Sequence, residues 1–135
     1  MDGKVMVVDD NEDIVASVKS AFKKREPKLE VIGLTSGKKA LEAMLESPPD
    51  IVLLDVMMPE MDGWTVASKM KEDPVMKGIP IVYLTAKTDD LSQKMGAIGS
   101  EDYITKPYDN DDLVNRVKDV IQKERYLKSG RDIFK

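Results

Sequence analysis

Five short apolar runs recur along the chain: Val5-Met6-Val7-Val8, Val31-Ile32-Gly33-Leu34, Ile51-Val52-Leu53-Leu54, Ile81-Val82-Tyr83-Leu84 and Tyr103-Ile104-Thr105. They are rich in β-branched residues and mostly continuous rather than alternating, which is the pattern of strands buried on both faces. Between them, apolar residues return at helical spacing. Ile14, Val15, Val18 and Phe22 form one stripe, and Ala40, Leu41, Met44 and Leu45 a second. Val66, Ala67 and Met70 suggest a third, Leu91, Met95 and Ile98 a fourth, and Leu113, Val114, Val117, Val120 and Ile121 a fifth. Breaks fall at Glu26-Pro27, Ser47-Pro48-Pro49, Asp62-Gly63, Asp73-Pro74 and Gly78-Ile79-Pro80. The last helix is expected to continue through Glu124-Arg125-Tyr126 until Ser129-Gly130 stops it.

Strand and helix thus alternate five times, without repeats or low-complexity stretches. The pattern predicts an α/β fold with a parallel sheet and helices on both faces, because parallel strands need crossover connections. Right-handed crossovers leave few topologies, and the expected one is the five-stranded, doubly wound flavodoxin-like order 2-1-3-4-5. A length of 135 residues suits one domain. Residues 1–124 carry that domain, and 125–135 read as a C-terminal helix extension or a linker.

Composition narrows the chemistry. The chain is 41% hydrophobic and 34% charged with a formal net charge of −4, and its lysines and arginines are scattered among the acids. No basic block marks direct nucleic-acid binding. The sequence has no apolar run long enough to span a membrane, and Met1-Asp2-Gly3-Lys4 leads straight into a strand without the apolar region of a signal peptide. The cytoplasm is the default location. The absence of Cys removes disulfides, thiolate nucleophiles and Cys-based zinc sites. The absence of His removes the commonest general base and most transition-metal sites. Carboxylates, hydroxyls, Lys and a hard cation remain.

Open parallel α/β sheets bind ligands beyond the carboxyl ends of their strands, so those ends carry the candidates. The first strand ends in Asp9-Asp10, the third in Asp55, the fourth in Thr85 and the fifth in Lys106-Pro107. Taken singly, each is an ordinary cap, turn or loop residue: Asp10 or Asn11 serves as well to cap the first helix. Together they bring three carboxylates, a hydroxyl and an ammonium to one shallow pocket. Carboxylates about 4 Å apart repel by roughly 4 kcal/mol at an effective dielectric near 20. A divalent cation relieves that repulsion, and an all-oxygen site suggests magnesium or manganese. The same parts serve phosphoryl transfer, with cation and Lys neutralising phosphoryl oxygens while a carboxylate attacks in line.

The stretches Val7-Val8-Asp9-Asp10-Asn11-Glu12, 50–63 (through Asp55 and Met57-Met58-Pro59 to Asp62-Gly63), 80–86 and Asp102-Tyr103-Ile104-Thr105-Lys106-Pro107-Tyr108 resemble the receiver domain of two-component response regulators, of the single-receiver, chemotaxis-regulator type. The likeness covers about residues 3–124 and is specific as a set. It implies that Asp55 is the phosphoacceptor, that Asp9 and Asp10 position magnesium with Asp55, and that the Met57 backbone carbonyl is a further ligand. Thr85 is expected to bond one phosphoryl oxygen and Lys106 another, while Tyr103 sits where the family has its rotating aromatic switch. The Lys106–Pro107 bond is expected to be cis. Met57 and Lys87 occupy variable positions that tune water access.

By the same resemblance, a sensor histidine kinase or a histidine phosphotransfer protein supplies the phosphoryl group. The surface of the fourth helix, fifth strand and fifth helix then changes its binding to a downstream effector. The chain is expected to be a monomer or weak homodimer and to catalyse only its own phosphorylation and slow autodephosphorylation. Other readings are a pseudo-receiver that binds partners without phosphorylation, a phosphohydrolase and a nucleotide-binding domain. Met57 stands where haloacid-dehalogenase-like phosphatases carry a second acid, and no Gly-rich loop followed by Lys-Ser or Lys-Thr is present.

Overall fold

The computed structural model describes residues 1–86 and 102–133. The expected fourth helix, with Leu91, Met95 and Ile98, and Lys87 lie outside the described residues. The strands are β1 (Gly3–Val8), β2 (Leu29–Leu34), β3 (Ile51–Asp55), β4 (Ile81–Ala86) and β5 (Asp102–Lys106). The helices are α1 (Glu12–Arg25), α2 (Gly37–Glu46), α3 (Gly63–Glu72) and a C-terminal helix (Asn110–Ile133). The sheet is parallel throughout and ordered β2-β1-β3-β4-β5, as the alternation predicted.

Local chemistry sets the helix ends. Asn11 caps α1 by accepting from the N–H groups of Asp13 and Ile14, Ser36 caps α2 through the N–H of Lys39, and Asp62 caps α3 through that of Thr65. Asp109 accepts from the N–H groups of Asp111 and Asp112 at the start of the C-terminal helix. The first three helices end at Arg25, Glu46 and Glu72, each just before a Pro-containing break, since Pro disfavours helix in the residue before it.

Strand alternation divides the core into two layers. Met6, Val8, Val52, Leu54 and Tyr83 pack with Ala40 and Met44 of α2 and Val66, Ala67 and Met70 of α3. Val5, Val7, Ile51, Leu53, Val82 and Leu84 pack with Val15, Val18 and Phe22 of α1 and with Leu113, Val114, Val117 and Ile121 of the C-terminal helix. Both faces of β1, β3 and β4 are therefore covered, which explains the unbroken apolar runs.

Two expectations are corrected. Leu45 is largely exposed rather than part of the α2 stripe, where Ala40 and Met44 do the burying. Ser129-Gly130 does not end the C-terminal helix, which continues to Ile133. A single Gly inside a helix costs only about 1 kcal/mol relative to Ala, and no Pro follows to enforce a stop.

Candidate functional site

The carboxyl ends of β1, β3, β4 and β5 lie side by side, and Asp9, Asp10, Asp55 and Lys106 converge there. Asp9 follows β1 and is 1% exposed, and Asp55 ends β3 and is 4% exposed. Asp10, beside Asp9, is exposed; one carboxylate oxygen from each of Asp9, Asp10 and Asp55 lies within 4.8 Å of the others. Because Asn11 takes the capping role, the Asp10 carboxylate is left to this cluster. Three hard oxygen donors at that separation fit a small divalent cation.

Lys106 bridges two of the three carboxylates. Its Nζ donates to Asp9 Oδ2 at 3.0 Å and to Asp55 Oδ1 at 3.1 Å. The alternation of the strands accounts for the meeting. Asp9 follows Val5 and Val7, Asp55 follows Ile51 and Leu53, and Lys106 follows Ile104, all on the face that packs against α1 and the C-terminal helix. The Lys106–Pro107 bond is cis, as the resemblance implied.

Electrostatics at the site are unbalanced. Burial, then the nearby Asp9 charge, pushes the Asp55 carboxyl up to about 6, against the opposing pull of Lys106. Burial also disfavours the Lys106 ammonium, but its bonds to Asp9 and Asp55 outweigh that and hold it above the usual lysine range. One cation thus serves two buried carboxylates and leaves negative charge over.

Thr85 is 1% exposed, and its Oγ1 has no hydrogen-bond partner among the described residues. By alternation it shares the opposite sheet face with Tyr83. Tyr103 is the register partner of Tyr83 and stands 46% exposed. Met57 follows the acceptor candidate closely; its N–H donates to Asp55 Oδ1 at 3.4 Å, and the residue is 65% exposed.

The structure adds a role for Gly63, which the sequence marked as a break and as the end of a matching stretch. After β3 the loop turns back through Glu60, in the left-handed region at φ 66°, and the Gly63 N–H bonds to the Val56 carbonyl at 2.9 Å. A Cβ at Gly63 would lie 2.4 Å from the backbone oxygen of Asp55. Only Gly allows this approach, and the approach fixes the backbone that carries Asp55. Tyr108 was quoted only as part of a matching stretch, yet its hydroxyl is buried without a partner among the described residues. The phenol is pushed up by burial and by Asp9.

A doubly wound parallel sheet with an acid trio and a lysine at its carboxyl edge is the architecture of a receiver. Residues 5–118 match the response regulator receiver domain, and the chain belongs to that family. It is 33% identical over 124 residues to the alkaline phosphatase synthesis transcriptional regulatory protein PhoP of Bacillus subtilis, covering 91% of this chain and 50% of that protein. It is 37% identical over 118 residues to the response regulator SaeR of Staphylococcus epidermidis, covering 87% of this chain and 49% of that one. It therefore spans about half the length of these two relatives. Among solved structures, a CheY-like response regulator receiver domain protein of Methanospirillum hungatei superposes with a TM-score of 0.78 at 33% identity, covering 90% of this chain and 96% of the other.

Proposed function

We propose that the chain is a phosphorylation-activated switch of a two-component system, with Asp55 as its phosphoacceptor. One observation carries the reading: Asp55 is buried at a strand end, bonded to Lys106 and crowded by Asp9 and Asp10. With its carboxyl at about 6, Asp55 is mostly ionised at neutral pH and able to act as a nucleophile. An Asp55 oxygen attacks the phosphorus of a phosphohistidine on a sensor kinase or phosphotransfer protein. The P–N bond breaks and the imidazole leaves with its electron pair. The product is an aspartyl phosphate, a mixed anhydride.

Asp9, Asp10, Asp55 and the Met57 backbone carbonyl are the groups that would hold magnesium, which when bound neutralises the charge on the transferring phosphoryl oxygens. Lys106 pairs with one phosphoryl oxygen, for which its bond to Asp55 already aims it. Thr85 brings a buried hydroxyl lacking a partner among the described residues and donates to another. Its movement leaves room for Tyr103, on the same sheet face, to turn inward. The surface of β5 and the C-terminal helix, together with the fourth helix expected from the sequence, then binds a downstream effector differently. Inverting a 1:99 equilibrium takes about 5.5 kcal/mol, within reach of several charge-assisted bonds to one phosphoryl group.

Beyond this step the chain catalyses only its own slow dephosphorylation, with Met57 beside the acceptor to tune water access. No helix among the described residues is long and apolar enough to cross a membrane, and we assign the switch to the cytoplasm. We take residues 1–124 as the receiver, and its last helix runs on past them to Ile133.

Intact-mass spectrometry after incubation with acetyl phosphate tests the proposal. A single phosphoryl adduct is expected in wild type with magnesium, and none with EDTA or in Asp55→Asn. No adduct in wild type with magnesium bound favours the pseudo-receiver, and an adduct that persists in Asp55→Asn means another nucleophile.

A further inference from the structure

The chain has nine methionines, and those among the described residues divide sharply by exposure. Met6, Met44, Met58, Met70 and Met76 are at most 8% exposed and pack in the core layer beneath α2 and α3. Met1 and Met61 are partly buried against the two layers. Met57 is 65% exposed and packs in neither. Core filling accounts for the buried methionines and leaves this one without a packing role.

Met57 also stands where chemistry is expected. Asp55, Val56 and Met58 around it are 4%, 1% and 8% exposed, so Met57 is the first residue after the acceptor to meet solvent. Its N–H donates to Asp55 Oδ1 at 3.4 Å, which ties its backbone to the acceptor carboxylate. The thioether sulfur therefore hangs on a short, flexible chain from a backbone already at the site. Burial shields a thioether from peroxide, whereas an exposed one is open to oxidation.

We propose that Met57 is a peroxide-sensitive modification site, whose oxidation to the sulfoxide shortens the life of the phosphoryl group on Asp55. The proposal rests on the phosphoacceptor reading above. A sulfur lone pair attacks one oxygen of hydrogen peroxide, an S–O bond forms and the O–O bond breaks. The departing hydroxide takes the remaining peroxide proton and leaves as water; sulfur is oxidised by two electrons and the peroxide reduced. The thioether is an apolar cover that offers water little hydrogen bonding. The sulfoxide carries a polar acceptor oxygen that holds water beside the aspartyl phosphate, and exclusion of water is what protects a hydrolysable intermediate. Because Met57 packs in neither layer, the added oxygen disturbs no core contact.

Graded hydrogen peroxide treatment followed by peptide mapping tests the site, each sulfoxide adding about 16 Da. Treated and untreated protein are then labelled with acetyl phosphate and magnesium and freed of donor, and decay of the adduct is followed by intact mass. Wild type and Met57→Leu are each compared with and without peroxide, so each is its own baseline. Met57 should oxidise at doses that leave the five buried methionines intact. Decay in wild type should then accelerate about fivefold, the rate equivalent of one hydrogen bond. Peroxide should leave decay in Met57→Leu unchanged, and methionine sulfoxide reductases should restore the wild-type lifetime. Oxidation of a buried methionine ahead of Met57 overturns the proposal, as does full Met57 oxidation with an unchanged or longer lifetime. Acceleration that persists in Met57→Leu overturns it too, because another methionine then carries the effect. If untreated wild type takes no phosphoryl group, the phosphoacceptor reading fails and this inference with it. If it labels normally but its lifetime ignores Met57 oxidation, only this inference fails.

Discussion

At the amino ends of the strands, Lys4 of β1 donates its backbone N–H to Asp50 at 2.7 Å and its Nζ to the Ser47 carbonyl at 3.0 Å. Arg116 of the C-terminal helix binds both oxygens of Asp102 at the start of β5, and Arg125 donates to the Asp2 carbonyl. At the carboxyl ends, one lysine bridges two buried aspartates, a third lies alongside, and two buried hydroxyls have no partner among the described residues. The sheet, its layers and its covering helices are common to both ends. The difference lies in the polar groups, which are paired at one end and in excess at the other. An end whose charges are matched internally has little to gain from a ligand. An end left with surplus carboxylate and unused donors gains from a cation and from a phosphoryl group.

The largest expected effect strikes the backbone under the acidic end. Gly63→Ala forces a Cβ against the Asp55 carbonyl oxygen, and neither the loop nor β3 can move without disturbing the acceptor. A loss of about 2–4 kcal/mol is expected by urea denaturation, the range of a severe steric insertion. A loss below about 0.5 kcal/mol, typical of a neutral surface change, would show that the loop relaxes freely and that Gly63 does not set the position of Asp55.

Next comes the electrostatic surplus itself. The Asp55 carboxyl is raised from 3.8 to about 6 on folding, so between these values the native state binds more protons than the unfolded chain. Its contribution is therefore most favourable below about pH 4 and is lost as pH rises through 6. In EDTA, the Asp55 part of the stability should fall by about 2–3 kcal/mol between pH 4 and 7.5. Asp55→Asn should be more stable than wild type at pH 7.5, and the difference should shrink toward pH 4. Denaturation midpoints of the two proteins across that range check the sign. A variant less stable than wild type at pH 7.5 would mean that Lys106 overcompensates and that the site carries no surplus.

How much of this was legible in the sequence follows from what each feature depends on. The strand order and the two layers were readable because β-branched runs and helical stripes are local patterns, and few parallel topologies satisfy them. The meeting of Asp9, Asp10, Asp55 and Lys106 was readable because strand ends converge in such a sheet, whatever the side-chain detail. The clash that reserves position 63 for Gly arises from a loop folding back on β3, and no local pattern encodes that approach. The unpartnered hydroxyl of Tyr108 depends on what surrounds it in three dimensions; in sequence it is one aromatic after a Pro. Ser129-Gly130 misled because local propensity is weak beside the momentum of a 24-residue helix.

The smallest expected effect belongs to the paired end. Arg116 and Asp102 form a close ion pair, with Nη1 2.6 Å from Oδ1 and 2.7 Å from Oδ2, but both side chains are partly open to water. Solvent screens such a pair, so the coupling energy from a double-mutant cycle with Arg116→Gln and Asp102→Asn should be about 0.2–1 kcal/mol. It should also shrink in 1 M salt, where the Debye length is about 3 Å. Magnesium, if its site is the acid trio at the other end, should leave the coupling unchanged. A coupling above about 2 kcal/mol, or one that magnesium alters, would mean that the two ends communicate through β5. Charge matching at the amino end would then be part of the switch rather than a solvated clasp on the fold.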